Sequence, residues 1–99
     1  MAYTNKGQAS LNNAYFHVVP HREGNKKTWY VDKIEGGNHA QLRGYENLEE
    51  AMKKAVELAE SQGNSYITLH RSTGRIYTTE RPEQVREHLT ELKTELINK

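Results

Sequence analysis

The fold is decided by two neighbouring stretches, YFHVVP at residues 15–20 and TWYVDKI at residues 28–34. Both are rich in aromatic and β-branched residues, which favour β-strands. A polar turn around Gly24 joins them closely enough for an antiparallel pair. Because successive side chains of a strand point to opposite faces, one set is predicted to face the core: Phe16, Val18, Trp29 and Val31. The alternate set is predicted to face the other way: Tyr15, His17, Tyr30 and Asp32.

A helix is predicted after a short third strand at residues 39–43. Asn47 can cap its first turn, and Glu50, three residues later, can complete a capping box. Apolar residues recur at helical spacing over residues 48–59. Gly63 stands where a residue in the left-handed αL conformation would end the helix. The first half of the chain therefore predicts two or three antiparallel strands followed by one amphipathic helix.

A β-hairpin and a second helix are predicted to complete the domain. The hairpin strands are residues 66–70 and 75–79, joined by residues 71–74 with Gly74 suited to positive φ. Its expected core contacts are Ile67, Leu69 and Ile76. Pro82 suits the first turn of a helix, predicted over residues 82–98.

The order β-β-(β)-α-β-β-α predicts an α+β fold, with an antiparallel sheet of four to five strands and two helices. This single domain is predicted over residues 14–99. Residues 1–13 contain few apolar side chains, and too little apolar surface to offset the entropy of ordering. They are predicted to form a flexible N-terminal arm.

The C-terminal helix carries an apolar seam that two different surfaces could cover. Its residues step by four, three and four, and therefore lie on one side of a helix: Val85, Leu89, Leu92 and Leu96. This seam could dock on the chain's own sheet. It could also pair with a second copy in coiled-coil fashion, which would make a homodimer. The sequence leaves both arrangements open.

The composition favours some classes of protein over others. Fourteen Lys and Arg residues face thirteen acidic residues, for a formal net charge of +1. A dedicated nucleic-acid binder usually has a larger basic excess, because neutralising phosphates supplies most of its affinity. The chain has no cysteine, which fits a reducing compartment. It also has no apolar run near the ~20 residues that cross a bilayer. A cytoplasmic protein without a membrane contact is predicted.

The histidines and carboxylates do not form a recognisable reaction centre in the sequence. His17 and His21 lie on either side of Pro20 at a strand end, so they cannot converge as metal ligands do on a helix. No carboxylate partner for His39 is evident, and acid–base catalysis needs a base held in place by a second group. The sequence therefore predicts a non-enzymatic protein with no catalytic residue, no metal and no cofactor.

The last hairpin is the strongest candidate for a partner-binding surface, through His70, Arg71, Arg75 and Tyr77. Aromatic and cationic side chains are favoured at protein–protein contacts. They can also stack bases and neutralise phosphates. Alternatively, these residues only stabilise a solvated face as cross-strand pairs, or are covered by the second helix. The predicted function is a small binding or accessory module with a protein partner. The alternative is nucleic-acid binding around Arg71, Arg75 and Tyr77.

Five short motifs resemble a family of small bacterial proteins, domain of unknown function 2188. They are YFHVVP at 15–20, WYV at 29–31, ESQG at 60–63, LHR at 69–71 and GRI at 74–76. The resemblance covers approximately residues 15–79, and leaves out the N-terminal arm and the last helix. It implies a strand pair, a helix and a closing hairpin in this order. It implies no activity, because the family has none assigned.

Overall fold

The computed structural model describes residues 13–98, so the predicted N-terminal arm, apart from Asn13, lies outside the described residues. Eight elements follow one another along the chain. They are β1 (Ala14–Glu23), β2 (Lys26–Glu35), β3 (Asn38–Tyr45), α1 (Leu48–Gln62), β4 (Ser65–His70), β5 (Ile76–Glu80), α2 (Pro82–Glu87) and α3 (Leu89–Asn98). The predicted α+β class is confirmed.

The five strands form one mixed sheet in the order β3-β2-β1-β4-β5. Three of the four neighbouring pairs are antiparallel, but β1 and β4 are parallel, with Val18 opposite Leu69. The prediction of a wholly antiparallel sheet is therefore wrong. The helix α1 separates β3 from β4 and carries the chain back across one sheet face. This crossover allows β4 to enter beside β1 in the same direction.

The ends of α1 follow the predicted local chemistry. The Asn47 side chain accepts a hydrogen bond from the Glu50 backbone N–H at 3.2 Å. Gly63 adopts a φ of 77°, which strains a residue with a side chain. Its N–H donates to the Ala59 carbonyl at 3.1 Å. The predicted positions of the start and end of this helix are confirmed, but Gly63 has a ψ of 155° and therefore does not adopt the predicted αL conformation.

One face of the sheet packs against the helices, and the predicted core-facing side chains of β1 and β2 are confirmed. The side chains of Phe16, Val18, Trp29 and Val31 are buried in a single cluster with those of α1. Among the hairpin residues, Ile67 and Leu69 are also buried, but Ile76 is 62% exposed. The prediction that Ile76 is a core contact is wrong. A register shift between Leu69 and His70 places Ile76 opposite His70, on the other face of the sheet.

The C-terminal segment forms two helices, α2 and α3, instead of the one predicted over residues 82–98. They meet at His88, where φ is −115° and ψ is 32°, outside helical values. The last turn of α3 meets the hairpin, because the Ser72 N–H donates to the Leu96 carbonyl at 2.9 Å. Within residues 13–98, no helix combines the length and the apolarity needed to span a membrane.

The apolar seam of the C-terminal segment packs on the chain's own core. Val85 and Leu96 are fully buried, and Leu89 and Leu92 are partly buried against the same cluster. The chain therefore covers this seam itself, with α3 lying against α1 and α2, and these four residues do not form a free surface for a second copy. The homodimer stays a prediction without an assigned surface.

Candidate functional site

The helices leave the second sheet face uncovered, and the candidate site lies on this uncovered face and on the hairpin at its end. Strand pairing sets its side chains next to one another. His17 on β1 lies opposite Asp32 on β2 and opposite Thr68 on β4. Tyr15 lies opposite Tyr66 in the same way. Polar and aromatic groups from distant parts of the sequence are therefore gathered on one surface.

Two histidines form a hydrogen-bonded pair at the centre of the uncovered face. His17 Nδ1 lies 3.1 Å from His70 Nε2, and His70 Nδ1 lies 3.0 Å from the Gly74 carbonyl oxygen. A carbonyl oxygen only accepts, so His70 Nδ1 must carry the proton. Neutral His70 then accepts at Nε2, and His17 Nδ1 donates to it. This chain of hydrogen bonds ties β1 to the loop between β4 and β5.

The surroundings of His17 disfavour its charged form. Burial of the ring lowers the pKa of His17 below its usual 6.5, and the neighbouring His70 lowers it further. The carboxylate of Asp32 acts in the opposite direction, and His39 adds a smaller lowering effect. The neutral form of the His17 ring is therefore favoured.

We expect the protein to lose stability as the pH falls below the ordinary histidine pKa of 6.5. The pKa of His17 is lower in the folded chain, so the unfolded chain binds a proton first and acid favours unfolding. The stabilising effect is complete above 6.5 and declines as the pH falls through 6.5 towards the folded pKa. Urea unfolding at about pH 7.5 and about pH 5 measures it.

The variant His17→Gln is expected to reduce this loss of stability in acid. His88→Gln serves as the matched control, because the His88 side chain is 53% exposed. Equal acid sensitivity in the wild type and in His17→Gln would contradict the assignment to His17.

A carboxylate and a histidine meet at the β2–β3 side of the same face. His39 Nε2 lies 3.1 Å from Asp32 Oδ2. Asp32 is only 7% exposed, and its Oδ1 is buried without a hydrogen-bond partner among the described residues. The prediction that His39 has no carboxylate partner is wrong. The two residues are diagonal neighbours across the turn at Gly36 and Gly37, since Asp32 pairs with Gln41 and His39 with Ile34. The sequence carried a signal for this contact, because the short turn at Gly36 and Gly37 sets the pairing of the residues on either side of it.

The Asp32–His39 pair does not extend to a metal site. Among residues 13–98, no three His, Asp or Glu side chains are grouped so that they could hold a metal ion. Asp32 and His39 thus act on the uncovered face as a hydrogen-bonded pair.

Aromatic rings occupy the end of the uncovered face next to Ala14. The rings of Tyr15 and Tyr66 are stacked, with centroids 5.4 Å apart and an interplanar angle of 20°. The Arg81 guanidinium lies 5.7 Å from the Tyr66 centroid. Such contacts stabilise neighbouring strands, and they also leave flat apolar surface beside a cation.

The four predicted partner-binding residues do not share one face. His70 lies on the uncovered face, in the pair with His17. Arg71 lies 4.4 Å from the Tyr77 ring centroid and donates to the Glu95 carbonyl oxygen at 3.0 Å, so it ties the hairpin to α3. Tyr77 itself packs partly buried against the core. The register shift beside His70 explains why Tyr77 and His70 do not share a face. It places Ile76, and not Tyr77, opposite His70.

The hairpin end forms a groove of about 630 Å³, lined by Arg71, Thr73, Arg75 and Ile76. Ile76 is the most exposed of the large apolar side chains in the described part of the chain. Arg75 is exposed and has no carboxylate within 4 Å among residues 13–98. The sequence pointed to Arg75 here, but it did not predict that Ile76 joins it.

Comparison with protein families matches residues 16–80 to uncharacterized proteins conserved in bacteria, DUF2188. The chain belongs to this family. The match runs from β1 through β5, so the DUF2188 region includes the uncovered sheet face and the hairpin end, while α2 and α3 lie outside it. Neither the curated proteins nor the solved structures that were searched gave a match. The resemblance seen in the sequence is confirmed, and the DUF2188 family assigns no activity to the site.

Proposed function

We propose that this DUF2188 protein is a non-enzymatic, cytoplasmic binding module that holds a protein partner at its hairpin end. The observation that carries the proposal is the exposure of Ile76 beside Arg75, in a groove completed by Arg71 and Thr73. An apolar side chain next to arginines is typical of the residues that dominate protein–protein binding. His70 borders the groove through its hydrogen bond to the Gly74 carbonyl.

The roles of the predicted contact residues differ in this proposal. Arg75 and Ile76 meet the partner directly, since both are exposed. Arg71 and Tyr77 hold the hairpin against α3 and so position the groove. Substituting Arg71 or Tyr77 would disturb the scaffold together with the contact. Arg75 and Ile76 are therefore the residues to test.

We expect Arg75→Glu to weaken partner capture by about tenfold or more, since loss of a central contact residue typically costs about 2 kcal/mol or more. Affinity capture from a lysate of the native host, followed by titration of the captured protein, measures the change. Arg43→Glu makes the same charge change on β3, at the opposite edge of the sheet, and is expected to bind normally. Equal affinities for the wild type and both variants would remove the hairpin end as the binding surface.

Nucleic-acid binding is the second candidate, and one observation favours it. Arg71, Arg75 and Arg81 all lack a carboxylate partner within the described residues. Arg81 also lies over Tyr66 in the tyrosine stack. Arginines beside stacked rings can hold phosphates and bases. This candidate predicts an affinity for single strands that falls steeply with salt. A gel-shift series at rising salt tests it, and the absence of a shift at low salt excludes it.

A further inference from the structure

The outer edge of β5 is an unpaired strand edge. The sheet ends at β5, which pairs only with β4 among the described elements. Every second residue of such a strand turns its backbone N–H and C=O groups outward, where another strand can bind them. The register shift at Tyr77 affects the start of β5, and the pairing from Thr78 to Glu80 is regular. The edge therefore offers backbone hydrogen bonds to an extended partner.

Within residues 13–98, unpaired positive charges lie at both ends of this edge. Arg75 lies directly before β5 and Arg81 directly after it, and neither has a carboxylate within 4 Å among the described residues. The carboxylate within the strand, on Glu80, accepts a hydrogen bond from the Thr78 hydroxyl at 2.7 Å. Ile76 adds exposed apolar surface between the two arginines. Acidic side chains at both ends of a bound strand would complement this pattern.

Two other occupants of this edge fit it less well. A second copy pairing antiparallel along β5 would bring Arg75 of each chain towards Arg81 of the other, and like charges across strands repel. The chain's own residues 1–12 contain no Asp or Glu, and they include Lys6. The second copy would place arginines opposite arginines, and residues 1–12 would supply no carboxylate.

We propose that β5 accepts an extended acidic segment of a protein partner as a sixth strand of the sheet. The backbone of the segment pairs with β5, its acidic side chains meet Arg75 and Arg81, and an apolar side chain covers Ile76. Main-chain hydrogen bonds supply affinity in such strand addition, and the side chains supply specificity. This inference rests on the proposed function and specifies the class of partner.

The test uses a synthetic peptide as the probe, with alternating valine and threonine residues and two acidic residues at each end. Titration into the isotopically labelled protein is followed by NMR. The amide signals of Ile76–Glu80 are expected to shift and to become protected from hydrogen exchange. Arg75→Glu should weaken binding about tenfold or more, the factor of a lost charge-assisted contact. A control peptide has lysine in place of the acidic residues. Its affinity for the wild-type protein should be no higher than the affinity of the acidic peptide for the Arg75→Glu variant.

A peptide that is N-methylated at alternate residues separates strand addition from simple charge attraction. It keeps every acidic side chain but loses the backbone donors, so it is expected not to bind. Equal binding of both peptides, shifts confined to β3 or to the uncovered face, or no binding at millimolar peptide would overturn strand addition. The proposed function is tested by a different result. It is wrong if Arg75→Glu and the wild type capture the host partner with equal affinity.

Discussion

Replacing Leu96 by alanine is expected to lower the free energy of unfolding by about 2–5 kcal/mol. Leu96 has no exposed surface and belongs to the core cluster, so its truncation to alanine leaves a cavity in the core beneath α3. The backbone carbonyl of the same residue accepts from the Ser72 N–H, which makes this turn of α3 the support of the hairpin end. The substitution is therefore also expected to loosen the candidate partner groove.

Ile97→Ala is the matched control, because Ile97 is the next residue and is 49% exposed. It is expected to change the free energy of unfolding by about 0.5 kcal/mol or less, as surface substitutions usually do. Urea unfolding of the three proteins measures the difference, and sedimentation shows whether the oligomeric state changes. A Leu96→Ala protein that keeps its stability but loses self-association would contradict the core position and support the seam between two copies.

Replacing Phe16 by alanine is expected to have the other large effect, a loss of about 3–5 kcal/mol. Phe16 lies on the central strand β1, between β2 and β4, and its ring is buried in the core. A domain of this size has a total stability of about 5–10 kcal/mol, so the variant is expected to be close to unfolding at room temperature. Thermal unfolding followed by circular dichroism measures the change.

Tyr15→Ala is the matched comparison, because Tyr15 lies on the opposite face of the same strand. Tyr15 is adjacent to Phe16, but its ring is only half-buried and stacks on Tyr66. Its loss removes one cross-strand aromatic pair, and about 1 kcal/mol is expected. Similar losses for both variants would mean that the two faces of β1 are buried alike, which the described register excludes.

The fold and the candidate site share the hairpin between β4 and β5. On the helix side, Arg71 and Tyr77 connect this hairpin to α3, while Arg75 and Ile76 remain exposed. On the uncovered face, His70 connects the hairpin to His17. Protonation of His17 is therefore expected to act on the hairpin as well as on global stability. Measuring partner affinity at about pH 7.5 and about pH 5 would show this link.

Short-range features could be predicted from the sequence alone. The alternation in β1 and β2 predicted correctly four apolar side chains of the core, Phe16, Val18, Trp29 and Val31, because period two depends on neighbouring residues only. Asn47 and Gly63 marked the ends of α1 for the same reason, since caps act within one turn. Arg75 was named from the grouping of cationic and aromatic side chains on the hairpin; its exposure is observed, and its role as a contact residue stays a prediction. Family membership likewise followed from short motifs within residues 16–80.

Contacts between distant segments were decided only by the tertiary structure. The parallel pairing of β1 with β4 depends on where α1 crosses the sheet, and no local pattern records this. The exposure of Ile76 and the burial of Tyr77 depend on a register shift that belongs to two strands together. The choice between core and second copy for Leu96 was open in the sequence, because an apolar seam does not specify what covers it. Local patterns thus determined the elements and their faces, while packing between elements determined which side chains remain free to bind.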